Sequence, residues 1–311
     1  MKKSKILILG GSGLVGSSII RKLNKEGFTN LLYPSHQLLD LTRPNRIWTY
    51  LECNKPDIII VAAAKVGGIG ANSRSNSSFL YDNMMINFNI IKIASEMKIP
   101  KLIFLGSSCI YPKTLIGPIK ETKLLSNYLE ETNEGYALAK ISGIKYCQFL
   151  RKEYGLDYIS LMPCNLYGPN DNYDLENSHV FPKFIRVFLE AKEQKKKEVI
   201  LWGSGDVLRE FMHVDDLANA VYLCIKSKKK LPDLMNVGYG ADLLVSDLAN
   251  RMNKIICNGK IKIKWDYIRP DGTYRKLMDS SLIRDTLGWK PEIDLDTGIK
   301  MTLDSYIKER K

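Results

Sequence analysis

The chain has 311 residues, of which 45% are hydrophobic and 26% charged, and its formal net charge is +12. Those totals suit a soluble globular protein of two lobes, and the lack of any run of about 18 apolar residues argues against a transmembrane helix. The lysine excess gathers partly in Lys195–Lys197 and Lys228–Lys230. Such short runs read as solvated corners, so no nucleic-acid partner is expected.

The basic start and the apolar run Ile6–Leu9 lead straight into glycines, and read as a first strand and not a cleaved leader. A helix then runs to about Glu26. Asp57–Ala64 and Leu102–Leu105 are further strands, each a nearly continuous apolar run as expected for strands buried on both faces. Helical patterns occupy Asn83–Met97 and Tyr136–Tyr154. This alternation predicts an α/β fold, a doubly wound parallel sheet of Rossmann type, over residues 1–167. Beyond about Tyr167 the rhythm loosens, with turn-rich pieces at Gly168–Asn172 and Pro270–Thr273. Residues 168–311 therefore read mainly as a smaller α/β substrate-binding lobe, with a return to the first lobe within about 199–240. Cys53, Cys109, Cys147, Cys164, Cys224 and Cys257 form no Cys-x-x-Cys pair. That spacing favours a reduced, cytoplasmic protein with no metal site.

The segment "GGSGLVG" places Gly10, Gly13 and Gly16 between a strand and a helix. Glycines let the backbone turn sharply and approach a pyrophosphate, and the helix N-terminus offers free N–H groups. Ser12, Leu14 and Val15 of the same turn join this dinucleotide site. The end of the second strand reads the adenosine ribose: an acid there favours NAD(H), a base NADP(H). The candidates are Ser35, His36 and, later, Asp40, and position 12 is Ser. On these residues both cofactors stay open.

The segment "YALAK" sets Tyr136 and Lys140 four residues apart, on one helix face. Lys140 can lower the phenol's pKa and hold a ribose. Tyr136 can pass a proton to a carbonyl oxygen while hydride moves at carbon, and Ser107 at a strand end can bond the same oxygen. This is the arrangement of the short-chain dehydrogenase/reductases in their longer, sugar-nucleotide form. His213, in "FMHVDDLA", reads as structural, near a helix start capped by Asp215 or Asp216.

A closer resemblance rests on segments spread in order along the chain: "AAAKVGGIGAN" (62–72), "NMMINFNII" (83–91), "GSSCIYPK" (106–113), "PCNLYGPNDN" (163–172), "NSHVFP" (177–182), "WGSGDVLREFMHVDDLA" (202–218), "NVGYG" (236–240) and "PDGTYRKLMD" (270–279). The chain resembles the GDP-L-fucose synthase family, GDP-4-keto-6-deoxymannose 3,5-epimerase-4-reductases. The resemblance implies NADPH-dependent reduction at C4 by Ser107, Tyr136 and Lys140, with Cys109 and His179 moving protons at C3 and C5. It also implies cofactor contacts at Leu105, Pro163, Asn165, Leu166 and His179, and substrate contacts at Asn165, Val180, Trp202, Arg209, Asp271 and Lys276. A homodimer through the helices 83–97 and 136–154 follows by analogy. The chemistry is coherent: protons beside a ketone become acidic because the enolate charge spreads onto the oxygen that Ser107 and Tyr136 bind.

Where family members carry paired basic residues after the histidine, Arg186 is here followed by Val187. The departure removes an expected cation from the substrate side. Three rivals share parts of the pattern. One is a C4-reductase acting on a related GDP-linked 4-keto-6-deoxy sugar such as a heptose. Another is a 4-epimerase or dehydratase that recycles a tightly bound NAD. The last is a non-catalytic NAD(P)-binding regulator.

Overall fold

The computed structural model describes residues 2–310 except Pro270. β1 (Ile6–Leu9) leads through α1 (Leu14–Lys25), β2 (Leu31–Leu32) and α2 (Pro44–Asn54) to β3 (Ile58–Val61). Two helices, α3 (Ile69–Arg74) and α4 (Asn76–Glu96), precede β4 (Lys101–Leu105). Then come β5 (Pro118–Ile119), α5 (Glu134–Tyr154), β6 (Asp157–Pro163) and β7 (Asn165–Tyr167). α6 (Val180–Glu193), β8 (Glu198–Trp202), β9 (Leu208–His213), α7 (Val214–Lys226) and β10 (Leu234–Val237) follow. The last elements are β11 (Asp242–Leu244), α8 (Val245–Cys257), β12 (Lys262–Asp266), β13 (Arg275–Met278), α9 (Ser281–Leu287) and α10 (Leu295–Glu309).

Six strands form one parallel sheet in the order β10-β6-β4-β3-β1-β2. All residues of β1 and β3 are buried, which is why their sequences are unbroken apolar runs. The order reverses between β1 and β3, and ligands of open α/β sheets bind outside the strands' carboxyl ends at that crevice. β10 and α7, which packs on α1, return to this layer from the second half. A second sheet, β11-β9-β13-β5 with β7 on β9, and a two-stranded pair, β12-β8, build the smaller lobe around its own aromatic core.

Two elements start earlier than their sequences suggest. α4 opens at Asn76, not Asn83, and α5 at Glu134, not Tyr136. The polar start of α4 hides it from apolar periodicity. Asn76 instead docks on α5: its amide donates to the Glu131 carbonyl at 3.2 Å and accepts from the Gly135 N–H at 3.1 Å. The strand expected over 57–64 ends at Val61. The expected cap of α7 is also different. His213 itself is the cap, its Nδ1 accepting the Asp215 N–H at 3.2 Å. Asp215 instead accepts from the Ser18 hydroxyl of α1 at 2.5 Å, and Asp216 holds the Glu292 N–H at 2.9 Å.

Candidate active site

The glycine turn is formed by its own packing. Gly10 has φ +84°, and a Cβ there would lie 2.8 Å from the Ala63 nitrogen. A Cβ on Gly16 would strike the Gly10 carbonyl. At Gly13, the residue before α1, a Cβ would meet only the Gly10 carbonyl oxygen, at 3.6 Å, so the chain leaves that space to a ligand. α1 starts with no side-chain cap and no acid in its first turn, and its N–H groups face a cavity of about 670 Å³. These features fit a dinucleotide pyrophosphate. Gly10, Ser12, Gly13, Leu14, Val15, Gly16, His36, Leu105, Lys140 and Pro163 all line that cavity.

A second cavity, of about 320 Å³, opens on the smaller lobe. Cys109, Val180, Trp202, Arg209, Asp271 and Lys276 line it. Ser107, Tyr136, Asn165, Leu166 and His179 belong to both walls. Of the sequence-predicted site residues, the structure brings all but the ribose-reading alternative Ser35 to one of two adjoining cavities, with Ser107, Tyr136 and His179 at the junction.

Ser107 and Cys109 do not share a face of one extended strand. β4 ends at Leu105, and residues 108–110 form a 3₁₀ turn capped by Ser107, whose Oγ accepts the Cys109 N–H at 3.4 Å. The turn carries both side chains to the sugar-side wall. Beyond it, Tyr111 is fully buried and its hydroxyl donates to Asn236 Oδ1 at 2.6 Å, so the Ile-Tyr-Pro part of the segment is an anchor.

Lys140 is buried, and its ammonium donates to the Leu105 carbonyl at 2.7 Å. Burial lowers its pKa to about 8. Its Nζ stands 5.7 Å from the centre of the Tyr136 ring. The expected lowering of the phenol is not found: burial, and next the Cys109 thiol, push Tyr136 upward, which keeps it protonated as a donor. Burial also raises the Cys109 thiol, against partial opposition from Lys276 and the Ser107 hydroxyl. The His179 ring is open to the cleft but crowded by protein, and that partial desolvation lowers its pKa. Both groups are therefore uncharged near neutral pH.

His179 is the residue before α6, and its placement comes from a contact between distant motifs. The Gly68 N–H donates to the Asn177 carbonyl at 2.8 Å, and Arg74 donates to Asn177 Oδ1 at 2.9 Å. The lysine-containing loop therefore clamps the segment that presents the imidazole.

Sequence reasoning missed three cations here, Arg74, Lys183 and Arg269. Lys183 Nζ lies 3.5 Å from the centre of the Trp202 ring system, and the Arg269 guanidinium 4.5 Å from it. Helical spacing from His179 could have found Lys183; nothing local marks Arg269. The departure at Arg186–Val187 costs the cavity nothing directly. Arg186 turns to Glu190, at 2.7 Å, and Val187 packs on the lobe's core. Arg209 donates to the Asp271 carbonyl at 2.8 Å, and burial lowers its pKa to about 10. Asp271 Oδ1 also accepts the Ser204 N–H at 2.9 Å, so Asp271 shapes the turn after Trp202 as well as lining the cavity.

Residues 6–238 match the model of the NAD dependent epimerase/dehydratase family. GDP-L-fucose synthase 1 of Arabidopsis thaliana is 48% identical over 307 residues, covering 99% of this chain and 94% of that protein. The chain belongs to the GDP-L-fucose synthase family. GDP-L-fucose synthase of Escherichia coli is 41% identical, covering 100% of this chain and 98% of its own. Among solved structures, a GDP-mannoheptose C4 reductase from Campylobacter jejuni with NADP bound superposes with a TM-score of 0.90. It is 32% identical and covers 99% of each chain. All six cysteines are unpaired, and no helix among the described residues is long and apolar enough to cross a membrane.

Proposed function

We propose that this chain reduces C4 of a GDP-linked 4-keto-6-deoxy sugar with NADPH and epimerises C3 and C5 in the same cleft, giving GDP-L-fucose. The observation that carries the reading is the shared wall: Ser107, Tyr136 and His179 face both cavities, with Lys140 on the dinucleotide side and Cys109 on the sugar side. NADPH, when bound, supplies the hydride. Tyr136 gives a proton to the C4 oxygen, Ser107 donates a hydrogen bond to it, and Lys140 holds the nicotinamide ribose. During epimerisation the same donors stabilise the enolate oxygen. The uncharged thiol and imidazole exchange protons with carbon, one accepting as the other gives, so the opposite face is protonated. Trp202, with its flanking cations, suits a stacked base, and Arg209 and Lys276 suit a diphosphate.

Residues 1–167, with the returning α7 and β10, would hold the dinucleotide, and the rest of 168–311 the nucleotide sugar. A homodimer through α4 and α5 is favoured by exposed Tyr81 (66%), Phe88 (38%), Leu138 (38%) and Phe149 (55%) on this helix pair. Light scattering reading a monomer at micromolar concentration would overturn it.

The likeness to the heptose reductase favours one other reading, C4 reduction alone on a related sugar. The test is incubation with the 4-keto substrate in D2O without reduced cofactor. Deuterium at C3 and C5 is expected; none would leave the reductase alone. Turnover across a panel of GDP-4-keto sugars with NADPH and NADH then identifies the sugar, and stoichiometric NADPH consumption excludes a recycled cofactor.

A further inference from the structure

The turn that carries Ser107 and Cys109 is held at its two ends by different parts of the molecule. Its own hydrogen bonds are long: Ile110 N–H to the Ser107 carbonyl at 3.3 Å, Tyr111 N–H to the Ser108 carbonyl at 3.3 Å, and Cys109 N–H to Ser107 Oγ at 3.4 Å. Bonds of that length are weak, so the flanking anchors decide where the side chains stand. Ahead of Ser107 the anchor is the dinucleotide lobe. The Gly106 N–H donates to the Leu161 carbonyl of β6 at 2.9 Å, and Lys140 donates to the Leu105 carbonyl at 2.7 Å. Behind Cys109 the anchor is Tyr111, whose hydroxyl donates to Asn236 Oδ1 at 2.6 Å. Burial pushes that phenol's pKa up, so it stays a donor. Asn236, in β10, is fully buried. Its side-chain amide donates to the Ile119 carbonyl of β5 at 2.8 Å and to the Asp279 carbonyl just after β13 at 3.1 Å, and its backbone N–H donates to Glu121 Oε1 at 2.8 Å. A buried amide whose donors and acceptor are all partnered holds one geometry. Ile110 between them adds buried apolar packing, which is not directional.

We propose that Tyr111 and Asn236 are positioning residues for Cys109, so that losing their hydrogen bond slows proton exchange at C3 and C5 and leaves hydride transfer to C4 intact. The proposal rests on the epimerase-reductase reading above. Neither residue lines a cavity, so neither touches a reacting atom. Proton exchange with carbon needs the sulfur within reach of the carbon and aligned with its C–H bond, and a misplacement of about 1 Å can slow such a step about 10²-fold. Tyr111 is two residues from Cys109 but four from Ser107. Ser107, Tyr136 and Lys140, the groups that serve reduction, are carried by β4, its bond to β6, and α5. Loosening the far end of the turn therefore moves the thiol and not the reductase set.

The test compares Tyr111→Phe with the unsubstituted full chain. Deuterium uptake at C3 and C5 is measured in D2O with saturating GDP-4-keto-6-deoxymannose and no reduced cofactor. Hydride transfer is measured in a single turnover with NADPH, on the same sugar first equilibrated by the unsubstituted chain and then freed of it, so that reduction does not wait on epimerisation. Uptake is expected to fall about 10- to 100-fold in the variant, with hydride transfer, the KM of the GDP-sugar and the NADPH dissociation constant each kept within about threefold. NADPH binding reports that the variant is folded. If that binding is lost, Glu121→Ala, which frees the Asn236 N–H at the edge of the same network, takes its place, with a smaller but equally selective loss expected. Equal losses in uptake and hydride transfer overturn the proposal, since the anchor would then hold the fold as a whole. Unchanged uptake overturns it too. No uptake in the unsubstituted chain removes the epimerase reading itself, and the proposal with it.

Discussion

The two cavities offer an anion different kinds of partner. On the dinucleotide side the chain offers backbone: glycines that admit a close approach and an uncapped helix N-terminus. On the sugar-nucleotide side it offers side-chain cations, Arg74, Lys183, Arg209, Arg269 and Lys276, drawn from α3, α6, β9, the segment after β12, and β13. A backbone site needs contiguous residues and so leaves a local signature. A side-chain site can be gathered from anywhere, and leaves none. The junction between them belongs to neither mode and carries the groups proposed to react.

Breaking the junction should have the largest effect. Tyr136→Phe removes the proton donor and is expected to lower kcat for reduction by about 10²–10⁴-fold, with NADPH affinity kept; stopped turnover with intact nucleotide binding would separate chemistry from fold. If deuterium exchange at C3 survives in that variant, Ser107 alone suffices for the enolate oxygen. On the side-chain cavity, Lys183→Gln and Trp202→Ala should weaken GDP-sugar binding, each by about 1–2 kcal/mol, seen as a raised KM with kcat nearly unchanged. An equal loss in NADPH affinity would show that the two cavities are not separate in function.

On the backbone cavity, Gly10→Ala should cost about 1–3 kcal/mol in stability, read as a lower urea midpoint, because φ +84° and the Ala63 backbone both oppose a Cβ. The smallest effect concerns pH. Lys140, lowered to about 8 by burial, is charged below that value and neutral above it. If its charge supports reduction, kcat/KM falls as pH rises through about 8, whereas the D2O exchange step, which does not use the ribose contact, should fall less.

Much of the first half was legible. Ile6–Leu9 and Leu102–Leu105 read as buried strands because helices cover both sheet faces, and the glycine turn and "YALAK" depend on spacing within one element. The start of α4 was not, because Asn76 earns its place by bonding to residues 131 and 135, a contact the local pattern cannot carry. The direction of the Tyr136 shift was not legible either. Burial, a property of the folded surroundings, raises it, while the lysine one helical turn away donates to the Leu105 carbonyl.

The sequence by itself determined the parallel sheet, the nucleotide turn and the candidate catalytic types, since each follows from residues within a few positions of one another. Only the tertiary structure decided how they meet. It ended β4 at Leu105 and set after it a 3₁₀ turn that carries Ser107 and Cys109 to one wall, and it set His179 by clamping residue 177 against a loop more than a hundred residues earlier. Local spacing fixes which groups a chain possesses; burial and long-range hydrogen bonds fix which of them are free to act.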